Sequence, residues 1–381
     1  DLKHLQILLG DCYRRLGRLE DAHRCYEAAY NLDPSYGAAV LNLAQLALQR
    51  NDIQELDRWI SRALQLPQMR GHPFIVRHAL RMQEADAGEE KIKQEIIPRR
   101  ERVFNQNPDD LENAIRLGIL YDRIERIADA ERMFRHVYQK AADKIQGATP
   151  LASFYIRHGE HAQIDKLFGE VIDQAETPAD KARAWTAYAS ALAPYDSKQA
   201  LSALDQAVSA DSEYAAAYFS KASVHARLGR WEEAVTAMEK YISLLPEKSP
   251  AAVKQLVDFQ INAGQYSRAK RNLQEVLRDN PSDAQAIMYQ ARIAWAEGDP
   301  GEAVRLANSA AAENRNYAAP LRLLAQIYLS QQNLSGARDA LQRARAISDD
   351  VGVTLELAAV EIRRGDYNSA ERLLRDLTDS T

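Results

Sequence analysis

Small, aromatic and acidic-proline positions return in register about every 34 residues along this chain, a period that belongs to stacked helical repeats. The first copy shows Gly10, Tyr13, Gly17, Ala22, Tyr26, Ala29 and the pair Asp33-Pro34. They are spread over two predicted helices joined by a turn at Leu16-Gly17-Arg18. The same slots hold Gly118, Tyr121, Ala130 and Phe134, then Ala222, His225, Gly229, Ala234, Met238, Tyr241 and Pro246. Further copies carry Gly264, Ala269, Leu273, Val276 and Pro281, then Ala291, Ala294, Gly298, Ala303 and Ala310, then Ala325, Tyr328, Ala337, Leu341 and Ala344.

Each slot has a physical reason. Small residues on the first helix and alanine on the second let the two axes approach closely, and the aromatics fill the space between hairpins. Glycine after the first helix takes the left-handed conformation that reverses the chain. Proline ends the second helix, because it lacks an N–H and biases the preceding residue away from helical dihedrals. On these residues the chain resembles the tetratricopeptide repeat along nearly its whole length. The resemblance implies an all-α fold: a right-handed superhelical solenoid of antiparallel helix pairs.

The repeats fall at 3–36, 37–70, 111–144, 145–180, 181–214, 215–249, 250–283, 284–317, 318–350 and a partial copy at 351–381, with an irregular unit at 71–110. The domain reading is therefore repeats 1–2 over 1–70, the irregular longer unit with Pro98 over 71–110, and repeats 4–11 over 111–381, in one continuous solenoid. The irregular unit runs about five residues beyond the period. Pro98 falls inside its second helix, where it is expected to kink or break it. The charged insert that begins at Asp86 reads as a longer solvated turn or as a feature on which a partner docks. A milder irregularity is expected at Ala175-Glu176-Thr177-Pro178.

Composition agrees with an all-α chain: 46% hydrophobic and 27% charged over 381 residues, with no alternating β-branched runs. The net charge of -5 argues against the basic face that nucleic acid or an anionic membrane would select. No apolar run is long enough for a membrane helix. Asp1 opens inside a helix and Thr381 closes an incomplete repeat, so the sequence reads as a segment of a longer protein whose leader, if any, lies elsewhere. Cys12 and Cys25 are expected to be buried small hydrophobes, and a metal site would need more ligands than they offer.

No catalytic constellation emerges. His158 and His161 lie in an inter-helix turn without the i, i+4 spacing of metal ligands, and are expected to be solvated or capping. Gly298-Asp299-Pro300-Gly301 lacks the Lys and Ser/Thr of a phosphate loop. Asn333-Leu334-Ser335 matches a glycosylation acceptor by chance-level length.

Function must then come from surface. The resemblance implies a concave groove lined by the first helix of each pair at its second, fifth, ninth, twelfth and thirteenth slots. A clamp for a partner's terminal carboxylate would need Lys and Asn at the fifth and ninth slots. These hold Ile7 and Asp11, Leu41 and Gln45, Ile115 and Ile119, and Trp185 and Ala189, which disfavours it; an asparagine ladder is disfavoured too, since only Asn42 fits. The candidate partner-binding residues are Ile115, Ile119, Arg123, Ile156, Arg157, Trp185, Phe219, Arg227, Arg292 and Trp295. Exposed aromatics of this kind anchor interfaces; the other reading of Trp185 and Phe219 is core facing the next helix. Arginine recurs at the thirteenth slot, in Arg15, Arg123, Arg157, Arg227 and Arg363. There it either complements the negative end of its helix or forms a rim of guanidinium groups for acidic partners.

The expectation is a non-catalytic interaction scaffold that holds an extended or helical protein segment, with no cofactor, no metal, no nucleic acid and no direct insertion into a membrane. Alternatives are an envelope scaffold of a polysaccharide secretion system, or the regulatory segment of a larger enzyme. Compartment, cytoplasmic or periplasmic, and oligomeric state stay open.

Overall fold

The computed structural model describes residues 2–85, 87–348 and 350–378. Asp86, which heads the charged insert, and the terminal Asp1 and Thr381 lie outside the described residues. The chain divides into two compact units, Asp1–Leu151 and Ala152–Thr381.

In the first unit the helices are α1 (Leu2–Arg15), α2 (Leu19–Leu32), α3 (Gly37–Gln49), α4 (Ile53–Gln65), α5 (Pro73–Ala85), α6 (Glu89–Lys91), α7 (Ile97–Gln106), α8 (Leu111–Arg123) and α9 (Ile127–Lys140). Helix α10 (Lys144–Arg157) carries the boundary. The second unit continues with α11 (His161–Asp173), α12 (Pro178–Leu192), α13 (Ser197–Ala210), α14 (Ala215–Arg227), α15 (Trp231–Leu244), α16 (Pro250–Asn262) and α17 (Tyr266–Asp279). It ends with α18 (Ala284–Ala296), α19 (Pro300–Glu313), α20 (Ala319–Ser330), α21 (Leu334–Arg345), α22 (Val351–Arg364) and α23 (Tyr367–Thr378). Among the described residues there is no strand. Consecutive helices pack as pairs, α1 with α2, α8 with α9, α14 with α15, α18 with α19.

In nine of the pairs the turn is the same object built repeatedly, whereas the α12–α13 turn at 193–196 has no residue with positive φ. Gly17, Asn51, Glu125, Gly159, Gly229, Gly264, Gly298, Gln332 and Gly365 all have positive φ, between 56° and 87°. The amide after each of them reaches back to a first-helix carbonyl, Arg18 to Tyr13, Asp52 to Ala47, Arg126 to Tyr121, Arg230 to His225, Asp299 to Ala294. This is the Schellman arrangement, which satisfies carbonyls that a helix end leaves unpaired. A side chain with a Cβ is strained in this conformation by roughly 1–2 kcal/mol. Gln332→Gly is therefore expected to stabilise its turn by roughly 0.5–1 kcal/mol, after the extra freedom of the unfolded glycine is discounted. Gly229→Ala is expected to cost about as much as the strain. Amide hydrogen exchange across α20–α21 and α14–α15 reads both, and unchanged protection in both variants would refute the strain argument.

The close approach of paired helices also follows from the slots. Ala22, Ala130, Ala234, Ala269, Ala303 and Ala337 on the second helices are all 0% exposed. On the first helices, a Cβ built on Gly10 would lie 2.4 Å from the Tyr26 ring, and one on Gly118 2.8 Å from that of Phe134.

The irregular unit resolves differently from a broken helix. From Glu89 to Gln106 the chain stays helical, but Ile92–Ile96 widens into a π turn immediately before Pro98. Proline cannot donate to the carbonyl four residues back and its ring crowds it; a π turn gives it room. From Glu89 onward the insert is helix rather than a turn, with Ala87 and Ile92 buried and its charged side chains there exposed.

One smaller expectation needs correction. Cys12 is exposed and only Cys25 is buried, both as free thiols. Cys12 lies two residues, roughly 200° of helical turn, beyond Gly10, whose near side is filled by the Tyr26 ring. The Asn333 side chain accepts from the Gly336 amide and caps α21.

Candidate functional site

First helices touch the first helix of the next pair, α12 with α14, α16 with α18 and α18 with α20. Their mutual face within the second unit is the surface on which the predicted partner-binding residues are to be judged. Phe219 in α14 is 38% exposed, its ring tilted at 5.2 Å against Tyr241. Arg227, at the end of the same helix, is exposed. Trp185 in α12 is half-buried, its ring 6.0 Å from Tyr188. Ile156 is half-buried and Arg157 exposed near the end of α10. Trp295 is partly buried against the cluster that holds Ala291, Leu321 and Leu324. Arg292 spans two pairs: it forms an ion pair with Asp258 of α16 and donates to Asn262 at 3.2 Å. One repeat further on, Arg322 bridges to Glu356 in α22. These arginines bind one pair to the next.

In the first unit, Ile119 is 51% exposed and Ile115 half-buried, both in α8. Arg123 serves a structural end: its Nη1 and Nη2 donate to the carbonyls of Glu84 and Ala87 at 2.7 and 2.8 Å. A cation at a helix C-terminus is the favourable partner of the unpaired carbonyls there, but the helix it caps is α5, not its own.

The densest polar arrangement of this unit was not foreseen from the sequence. Glu84 at the end of α5 is 7% exposed and accepts from Arg100 Nε and Nη2 at 2.9 and 2.6 Å. Arg99 and Arg116 approach the same carboxylate at 3.7 and 3.6 Å. Asn113, 2% exposed, accepts from Arg100 Nη1 and donates to the Arg100 carbonyl. Arg116 donates to Glu112 at 3.0 Å, and Arg77 stands 3.8 Å from the same carboxylate. Around these groups opens a pocket of about 400 Å³, lined by Arg77, Arg100, Arg116, Asp110, Glu112 and the start of α5. His78 beside it is 7% exposed. Its pKa is held down by burial first and by Arg81, Arg116 and Arg77 after it. A sequence signal existed in the density of arginine between Arg70 and Arg102, but the period alone does not show that α5, α7 and α8 bring it together.

Elsewhere the titratable groups are used for packing. His23 is pulled above its ordinary 6.5 by its hydrogen bond to Glu55. The hydroxyls of Tyr26, Tyr121 and Tyr188, buried and donating to Asp11, Glu101 and Asp165, are raised well above 10. Among the described residues no group of His, Cys, Asp and Glu could hold a metal ion, and no helix is long and apolar enough to cross a membrane.

Family models described as tetratricopeptide repeat match residues 4–36, 196–252, 257–319 and 294–351. No curated protein matches the chain in sequence. Among solved structures, yeast Tom70 is similar over 99% of this chain and 85% of its own, at 17% identity and a TM-score of 0.49. YrrB, described as a TPR protein with an unusual peptide-binding site, is similar over 51% of this chain and 96% of its own, at 21% identity and a TM-score of 0.34. A thermophilic TPR protein of Thermus thermophilus is similar over 41% of this chain and 85% of its own, at 20% identity and a TM-score of 0.36.

Proposed function

Because the chain is a tetratricopeptide-repeat protein, and hence a protein-interaction scaffold, we propose that it is non-catalytic and holds an extended or helical segment of a protein partner along the first-helix face of its pairs. The observation that carries this is Phe219: a large aromatic ring left 38% exposed on α14, with the exposed Arg227 at the end of the same helix. Aromatic and arginine side chains are the residues that most often carry binding energy at interfaces. Trp185 and Trp295 extend apolar area along α12 and α18, and Ile115 and Ile119 do so separately on α8 of the first unit.

The test is selection of peptides from a random displayed library on the purified chain, followed by affinity measurement against variants. Phe219→Ala with Arg227→Glu is expected to weaken the selected peptides about thirtyfold, as loss of a central anchor does. Since both side chains are exposed, the melting temperature is expected to stay within a few degrees. Peptides that bind this double variant as tightly as the parent would overturn the reading.

A further inference from the structure

The pocket between the starts of α5 and α8 has no part in the helix-pair packing that explains the rest of the first unit. Its walls carry Arg77, Arg100 and Arg116 against Asp110 and Glu112. The two carboxylates are already engaged, Asp110 in accepting the Asn113 amide at 3.0 Å and Glu112 in accepting from Arg116 at 3.0 Å. Behind the wall, Glu84 faces Arg99, Arg100 and Arg116, and Asp57 is engaged by Arg81 at 3.3 Å. A guanidinium surplus therefore remains, in a place where the positive ends of two helices, each equivalent to about half a charge, add to it.

Several donors are also held short of a hydrogen bond. The contacts of Arg77 with Glu112, of Arg116 Nη1 with Glu84 and of Arg99 with Glu84 run from 3.6 to 3.8 Å. At those lengths the charges attract without a direct hydrogen bond between them. Arg100 and Arg116, with side chains 15% and 16% exposed, are fixed by their neighbours and line the opening. His78 stands beside the pocket with its buried Nδ1 without a partner.

We propose that this pocket is a binding site for a phosphate dianion, free or esterified. The guanidinium groups come from three different elements, α5, α7 and α8, and line one pocket. A tetrahedral phosphoryl group offers three charged acceptor oxygens to such donors, whereas a planar carboxylate offers two in one plane. Two negative charges match the surplus plus the helix ends, and the volume of about 400 Å³ leaves room for the group that carries the phosphate. The site stands independently of the peptide-binding face proposed on α12 and α14.

Calorimetric titration of the intact chain at low salt tests it, with inorganic phosphate, O-phosphoserine and acetate as probes. Phosphate or O-phosphoserine is expected to bind saturably at one site, with acetate at least tenfold weaker. Tighter binding of O-phosphoserine than of phosphate identifies an esterified source, and the reverse a free ion. Arg77→Ala removes an exposed guanidinium without disturbing the core and is expected to weaken binding at least tenfold. Arg132→Ala, which takes away a similarly exposed charge on α9, is expected to leave binding unchanged. The proposal fails if neither phosphate probe binds saturably, if acetate binds as well as they do, or if the two variants behave alike.

Discussion

Phe134→Ala is expected to destabilise the α8–α9 pair by about 3–5 kcal/mol, the range for deleting a buried aromatic ring. Phe134 is 1% exposed and lies against Gly118, with no space for a Cβ between them. The hole left by its removal is walled by α8 and α9 backbones already in close approach, so the surroundings cannot collapse into it. Gly118→Val should also destabilise, by roughly 1–3 kcal/mol, because it forces the ring out of its rotamer. The two sites are coupled: Phe134→Leu with Gly118→Ala should lose less than the sum of the single changes. The chain itself carries that exchange elsewhere, with Ala222 and Met238 in one buried cluster and Ala325 and Leu341 in another. Hydrogen exchange in α8 and α9 measures the cost locally, which suits a repeat array better than one global transition. Strictly additive losses would mean that the glycine and the ring do not share the space assigned to them.

The pair just described marks what was legible in the sequence. Small, aromatic and alanine slots recur because paired helices meet at fixed distances, so the period carried the fold class and placed the reversing turn, including Gly17, Gly229 and Gly298 in the left-handed conformation. Asn51, Glu125 and Gln332 occupy the same conformation without being glycine; the repeating backbone imposes it there against side-chain preference. The irregular unit was legible as a failure of the period, but not its form. A π turn before Pro98 depends on how Ile92, Ile96 and Ile97 bury together, which local propensity does not encode. Surface roles were least legible: slot position alone does not separate Arg123, bound to the carbonyls ending α5, from Arg227, which is exposed. That difference arises from where the neighbouring helix happens to end.

Glu84→Gln is expected to cost the first unit about 3–5 kcal/mol, the penalty for removing one partner of a buried ion pair. The change is nearly isosteric, so packing is preserved and the loss is electrostatic. Arg100 would keep Asn113 as a hydrogen-bond acceptor, but Arg99, Arg100 and Arg116 would lose the carboxylate they share. Arg123 would be indifferent, since it binds the Glu84 carbonyl rather than its side chain. Two controls separate this from a general loss of stability. First, Arg100→Met should make Glu84→Gln less damaging, because a guanidinium left unpaired is the source of the cost. Second, hydrogen exchange should accelerate in α5, α7 and α8 while α20 and α21, in the other unit, keep their protection. Glu361, 2% exposed between Arg338 and Arg364, would show the mirror result, with α20–α23 affected and α5–α8 spared. If Glu84→Gln left exchange unchanged in the first unit, the carboxylate would not be the counter-charge that lets so many arginines gather at one point.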